Sequence, residues 1–228
     1  MRLRKRVSNH PAVVSLRNKL GIKQYFGQNQ EDKTIAQYFG DFKGTLLSIG
    51  ENDGITYSNA LHFILNGWSA DLVEPSQVAF SKVSKLHRGN NKVAIHQVAI
   101  GEQNGEADFY DSGQLEGLGD TSLVSSLKKD TTTMWTGVNF NKITIKTYDF
   151  QTFNTTVARY KTYDFITIDA ELMDLTILKQ MDLTKLGCKC LIIEHGGEEA
   201  TKKQMIDHCT KHGLSLAHTT QENFIFTK

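Results

Sequence analysis

The chain alternates, from Thr45 to its end, between short apolar runs and amphipathic stretches. TLLSIG (45–50) is an uninterrupted apolar run of strand length, the pattern of a parallel strand covered on both faces. Tyr57, Ala60, Leu61, Ile64 and Leu65 then recur at helical spacing, which predicts a helix that starts near Thr56 and stops at Asn66-Gly67. Strand 70–74, helix 77–87 and strand 92–100 follow, then strands at 105–111 and 142–150. Strand 165–169, a helix carrying Leu175, Leu178 and Met181, strand 190–195 and helix 198–211 continue the series. LSLAHTT and ENFIFTK, separated by only a tight turn, can be joined only as an antiparallel hairpin.

Strands alternating with helices imply right-handed crossovers and a parallel sheet. The expected fold is therefore α/β, a Rossmann-like sandwich with a mostly parallel seven-stranded sheet that ends in an antiparallel hairpin. Residues 1–43 read as a helical extension in which Ile35 and Phe39 lie one turn apart before Gly40 stops the helix. Residues 44–228 form the main domain. Between the strands at 105–111 and 142–150, a stretch rich in Gly, Ser and Thr reads as a long surface loop, and about 111–137 is the expected acceptor-choosing segment.

Composition adds exclusions. The 228 residues carry 39% hydrophobic and 22% charged positions, an ordinary globular balance. A net charge of +1 gives no field for attracting nucleic acid. Its one local excess is MRLRKR at the start, which reads as a solvated terminus or as a contact with an anionic membrane surface. No apolar run is long enough for a spanning helix and no signal-peptide core follows the basic residues, so a cytoplasmic protein is expected. Three cysteines, Cys188, Cys190 and Cys209, suit a reducing compartment, and Cys188 and Cys190, two apart in a strand, should face the same core. His208 and His212 lie one helical turn apart but lack the intervening Glu of a metalloprotease motif, so no metal site is assigned.

The chemistry gathers at the carboxyl ends of the predicted strands, where open α/β sheets bind ligands. Those ends carry Gly50 to Gly54, Glu74, Ala99 to Gly101, Asp169 with Glu171, and Glu194 with His195. Gly50 and Gly54 allow a tight turn and close approach of a ligand, and Glu74 stands where a carboxylate accepts hydrogen bonds from ribose hydroxyls. No Lys follows in P-loop spacing, which argues against triphosphate hydrolysis. Asn52 replaces the middle Gly of a dinucleotide loop, so a ribose-bearing cofactor without a pyrophosphate, S-adenosylmethionine, fits better than NAD. An NAD or nucleotide-sugar enzyme using the same turn stays as the alternative, as does a binding protein that keeps the fold without catalysis.

With the segments FGQNQED (26–32), LSIGENDGITYSN (47–59), GWSADLVEP (67–75), VAIGEQNGEADFY (98–110), TSL (121–123), YDFITIDAELMD (163–174) and IIEH (192–195), the chain resembles the FkbM-like methyltransferases. The resemblance implies methyl transfer from S-adenosylmethionine to a hydroxyl of a sugar, glycan, glycolipid or secondary metabolite. It would place Gly50, Asn52 and Gly54 around the methionine end, Glu74 on the ribose, and Pro75, Val98 and Ala99 on the adenine side, with Glu51 and Ser58 also among the cofactor-binding residues. Asp169 and Glu171 would stand at the reacting centre, Asp169 orienting the acceptor, with the base open between Glu171 and His195. Gln28, Glu31 and Asp32 match the family's motif before the sheet, as a cofactor lid or as a helix start capped by Asp32. Two positions depart from the family: Glu51, where Ala is usual, and Leu172, where Gly is usual. Trp135 offers an aromatic face to a sugar ring or plugs the core.

Overall fold

The computed structural model describes residues 10–115, 119–120, 122–135 and 137–228; the MRLRKR segment and Thr121, named above, lie outside them. Two helices precede the sheet, α1 (Pro11–Lys19) and α2 (Glu31–Phe39). Strand β1 (Thr45–Ile49) leads to α3 (Leu61–Leu65), β2 (Ser69–Val73), α4 (Gln77–Leu86) and β3 (Val93–His96). Next come β4 (Ala99–Ile100), β5 (Gly105–Ser112), the short pair β6 (Gln114–Leu115) and β7 (Gly119–Asp120), α5 (Thr131–Met134) and β8 (Phe140–Tyr148). The turn α6 (Phe150–Thr152), β9 (Phe165–Ile168), α7 (Asp174–Leu178), β10 (Cys190–Glu194), α8 (Glu199–Lys211), β11 (Ser215–Thr219) and β12 (Asn223–Thr227) complete the chain.

Seven strands form the main sheet in the order β3-β2-β1-β9-β10-β12-β11. All neighbours are parallel except β12, which runs antiparallel to both β10 and β11. The period-two register divides the strand residues between two cores. Leu47, Ile49, Ile166, Ile168, Leu191 and Ile193 face one, and Leu46, Leu72, Phe165, Ile192 and Ile225 face the other. Burial on both sides is why these strands read as continuous apolar runs. Ile35 of α2 lies in the second core, so the N-terminal helices pack onto the domain.

Three expectations change. The helix after β1 begins at Leu61 rather than near Thr56, because Asp53 first draws the chain into a side-chain-stabilised turn, its Oδ1 accepting from the Ile55 and Thr56 N–H groups at 2.8 and 2.7 Å. Tyr57 thereby leaves the helical stripe and stands at a left-handed φ of 59°. The run 92–100 is two strands, β3 in the main sheet and β4 in a second sheet of order β4-β8-β5, so the strands at 105–111 and 142–150 form a separate layer. Cys188 and Cys190 face opposite cores, since β10 begins only at Cys190. Part of the expected loop is ordered as well: Ser126 exchanges backbone hydrogen bonds with Tyr110, and Val124 is buried. No helix among the described residues is long and apolar enough to cross a membrane.

Candidate active site

A cavity of about 390 Å³ opens at the carboxyl ends of β1, β2, β9 and β10, roofed by residues 122–127. It brings together Gly50, Glu51, Asn52, Ser58, Glu74, Pro75, Ala99, Asp169 and Glu171. Gly54, Val98 and His195 are not among its lining residues. His195 is turned back into the fold: its N–H donates to the Glu222 carbonyl, Nδ1 accepts from the Gly197 N–H at 3.2 Å, and the ring lies against Phe224.

The glycines act differently from the expectation of simple ligand clearance. The place of a Cβ on Gly50 is taken by the Asp169 carbonyl, and that of Gly54 by Val83 and Leu86 of α4, so these positions let β9 and α4 close on the turn. Both have φ near +80°. Gly50 and Glu51 donate their N–H groups to the Val73 carbonyl, which binds the turn to the end of β2. Glu74 then takes the Asn52 N–H on Oε2 and the Ser76 N–H on Oε1, each at 2.7 Å. Its carboxylate is thus fixed, with lone pairs left for hydroxyl donors. Burial pushes Glu74 up to about 8, opposed by those two N–H groups.

Glu51, the first departure from the family, lies within this shell and accepts from Ser58 Oγ at 2.7 Å. Ser58 Oγ also accepts from the Ala60 and Leu61 N–H groups and so starts α3. Burial pushes Glu51 up to about 7, against the hydrogen bonds from Ser48 and Ser58. Beside it, the Asn52 side chain is 8% exposed and neither its Oδ1 nor its Nδ2 has a partner. Asn52 lines the cavity, and an amide with donor and acceptor both unpaired at its wall calls for a partner that carries both. The α-amino acid end of S-adenosylmethionine carries both a donor and an acceptor.

At the other end, carboxylate oxygens of Asp169, Glu171 and Glu194 lie within 4.8 Å of one another. The three could hold a cation, although carboxylates often gather without one. Asp169 is exposed where the cavity opens, and the protein packed around its carboxyl raises its proton affinity. Burial raises all three, and the neighbouring acids raise them further: Asp174 and Glu31 for Asp169, Asp169 and Glu194 for Glu171, Asp169 and Asp174 for Glu194. Asp169 does not cap the next helix; Asp174 Oδ1 takes the Ala170 N–H instead. Leu172 has φ 72°, the left-handed region that explains the family's Gly, and it does not line the cavity. Trp135 lines the cavity and is 40% exposed.

Glu222 and Asn223 also line the cavity and were not singled out from sequence. The signal was in the hairpin: the turn before an antiparallel strand stands at the carboxyl ends of its parallel neighbours. Residues 28–31 meet that turn. Asn29 Nδ2 donates to Glu222 Oε2 at 2.6 Å, and Glu31 Oε1 accepts from Asn223 Nδ2 at 3.1 Å and from Thr220 Oγ1 at 3.3 Å. Asp32 does not cap α2, whose first flanking residue is Gln30; its Oδ2 holds the Phe26 N–H at 2.6 Å.

Strand order, antiparallel β12 and a cavity over the carboxyl ends define the class I Rossmann-like methyltransferase fold. The family model for the methyltransferase FkbM domain matches residues 48–216, and the chain belongs to that family. It is a methyltransferase domain, and members of the family use S-adenosylmethionine in general. No curated protein matches it significantly. Among solved structures, the ribosomal protein L11 methylase of Lactobacillus delbrueckii subsp. bulgaricus is 11% identical over 87% of this chain and 75% of its own, with a TM-score of 0.45. The METTL16 methyltransferase domain is 10% identical over 88% and 67%, with a TM-score of 0.46. Monomeric WbdD is 10% identical over 88% and 41%, with a TM-score of 0.49.

Proposed function

We propose that this chain transfers a methyl group from S-adenosylmethionine to a hydroxyl of an uncharged polyhydroxyl acceptor, a sugar or glycan. The observation that carries the reading is the make-up of the cavity lining. Among the described residues, six acidic side chains line it (Glu51, Glu74, Asp169, Glu171, Glu194 and Glu222) and no Lys, Arg or His does. Such a wall favours a cationic cofactor and hydroxyl donors, and disfavours RNA or a sugar phosphate, whose charge calls for basic partners. The cofactor would supply an electrophilic methyl group on a sulfonium.

Glu74 and Asn52 would hold its ribose and amino acid ends. Asp169 would orient the acceptor hydroxyl, and Glu171 in its ionised form, made a stronger base by burial and by Asp169, would take the hydroxyl proton, with Glu194 sharing it. Orientation supplies much of the rate in a displacement that needs an in-line approach. His195 has no part in this scheme, being turned away from the cavity. Residues 28–31 would serve as the cofactor lid.

Thermal shift and calorimetry test the cofactor. S-adenosylhomocysteine should raise the Tm and NAD should not, and Glu74→Ala should weaken S-adenosylhomocysteine about 30-fold or more, the loss of charge-assisted hydrogen bonds. Stabilisation by NAD alone would overturn the reading. Methyl transfer to RNA or phosphorylated sugars, with none to neutral glycans, would overturn the acceptor class.

A further inference from the structure

The first helix buries one side chain. Val14 of α1 is 1% exposed and packs with Phe26, Ile55 and Leu61. Leu16, Leu20 and Ile22 are 58, 66 and 50% exposed. The helix end makes a single patch of them. The Gly21 N–H donates to the Asn18 carbonyl and the Ile22 N–H to the Arg17 carbonyl, both at 3.0 Å, with Gly21 at φ 69°. This left-handed closure returns the residue after the glycine toward the last helical turn, where Leu16 and Leu20 stand. Lys19 and Lys23 flank the patch and are exposed.

Charge identifies what would cover it. The first 30 residues contain seven Lys or Arg and no Asp or Glu, leaving nineteen basic against twenty-five acidic residues in the rest of the chain. We infer that the apolar patch Leu16-Leu20-Ile22 and its flanking lysines dock on an anionic lipid surface. The apolar side chains enter the boundary between headgroups and acyl chains while the cations meet lipid phosphates.

The patch is fixed to the domain. Gln24 Nε2 donates to the Val14 carbonyl at 3.0 Å, the Gln24 carbonyl meets His62 Nδ1 at 2.6 Å, and Tyr25 stacks on His62. From Ile22 to Gln28 at the cavity the chain spans at most about 20 Å, so docking holds the cavity near the membrane.

Co-sedimentation of the full chain with phosphatidylcholine vesicles, with and without phosphatidylglycerol, tests this. Wild type should bind only the anionic vesicles. Lys19→Gln/Lys23→Gln should bind about 30-fold more weakly and Leu16→Ser/Leu20→Ser/Ile22→Ser about 10-fold more weakly. Circular dichroism melting checks that each variant folds, and Leu20→Ser alone replaces the triple variant if that one does not. Three outcomes overturn the inference: no binding to anionic vesicles, undiminished binding by the apolar variants, or a wild-type dimer that those variants turn into a monomer, which would assign the patch to a second copy. None depends on the cofactor.

Discussion

The main-chain oxygen of Asp169 occupies the place that a Cβ on Gly50 would take, so the turn after β1 and the acidic end of the cavity are in direct backbone contact. Gly50→Ala cannot be absorbed by a side chain, because backbone stands in the way and φ is +82°. The expected cost is roughly 2–4 kcal/mol of stability in urea unfolding, with loss of S-adenosylhomocysteine binding. A variant that unfolds and binds like wild type would remove this contact from the account.

Glu51→Gln changes how stability depends on pH. A carboxyl raised to about 7 in the folded protein makes its contribution in full below its unfolded value near 4.5 and loses it as pH rises through 7. The amide keeps an acceptor for Ser58 Oγ and has no charge to bury. Glu51→Gln should therefore be more stable than wild type at pH 8 by roughly 1–3 kcal/mol, and equal to it near pH 4. Urea midpoints at the two pH values read both expectations.

Leu172→Gly should stabilise. Leu172 is 38% exposed at φ 72°, so the substitution relieves a left-handed leucine while losing little packing. A gain of roughly 0.5–1 kcal/mol is expected after the extra chain entropy of glycine is counted. Cofactor affinity should not change, since Leu172 is not part of the cavity lining. A lower denaturation midpoint would contradict the strain argument.

Asp71 anchors the segment before β9. Its buried carboxylate receives the Tyr163 hydroxyl at 2.9 Å, the Tyr160 and Arg159 N–H groups at 2.8 and 3.1 Å, and pairs with His96 Nε2 at 2.7 Å. Burial opposes its charge, but the bonds from His96, Tyr160 and Arg159 outweigh burial and hold the carboxyl below its usual value. Asp71→Ala strands several buried donors and should cost about 3 kcal/mol or more, visible as a fall in Tm.

Where two-sided burial makes strands apolar throughout, as at Leu46 to Ile49 and Phe165 to Ile168, the pattern of hydrophobic residues locates the sheet directly. The closing hairpin was legible because Thr219 and Asn223 are too close in the chain for any parallel connection. The start of α3 was not, because Tyr57 has helical spacing but Asp53 captures the Ile55 and Thr56 N–H groups in a local turn. Nor was the break at Gln97: an apolar run does not say which of two sheets each half joins. In the site, strand-end position correctly marked residues such as Glu74 and Asp169 as cavity residues, but it could not tell that the His195 ring turns back onto Phe224.

The bonds from Glu31 to Thr220 and Asn223 connect residues almost two hundred positions apart. On the ribosome, Glu31 emerges long before Thr220 and Asn223, which lie just before and at the start of β12. The carboxylate of Glu31, 1% exposed in the finished protein, has no such partners on the nascent chain. Closure of the cavity mouth therefore waits until the chain has grown past β11, and a stage with six strands of the main sheet in reach and an open site precedes it.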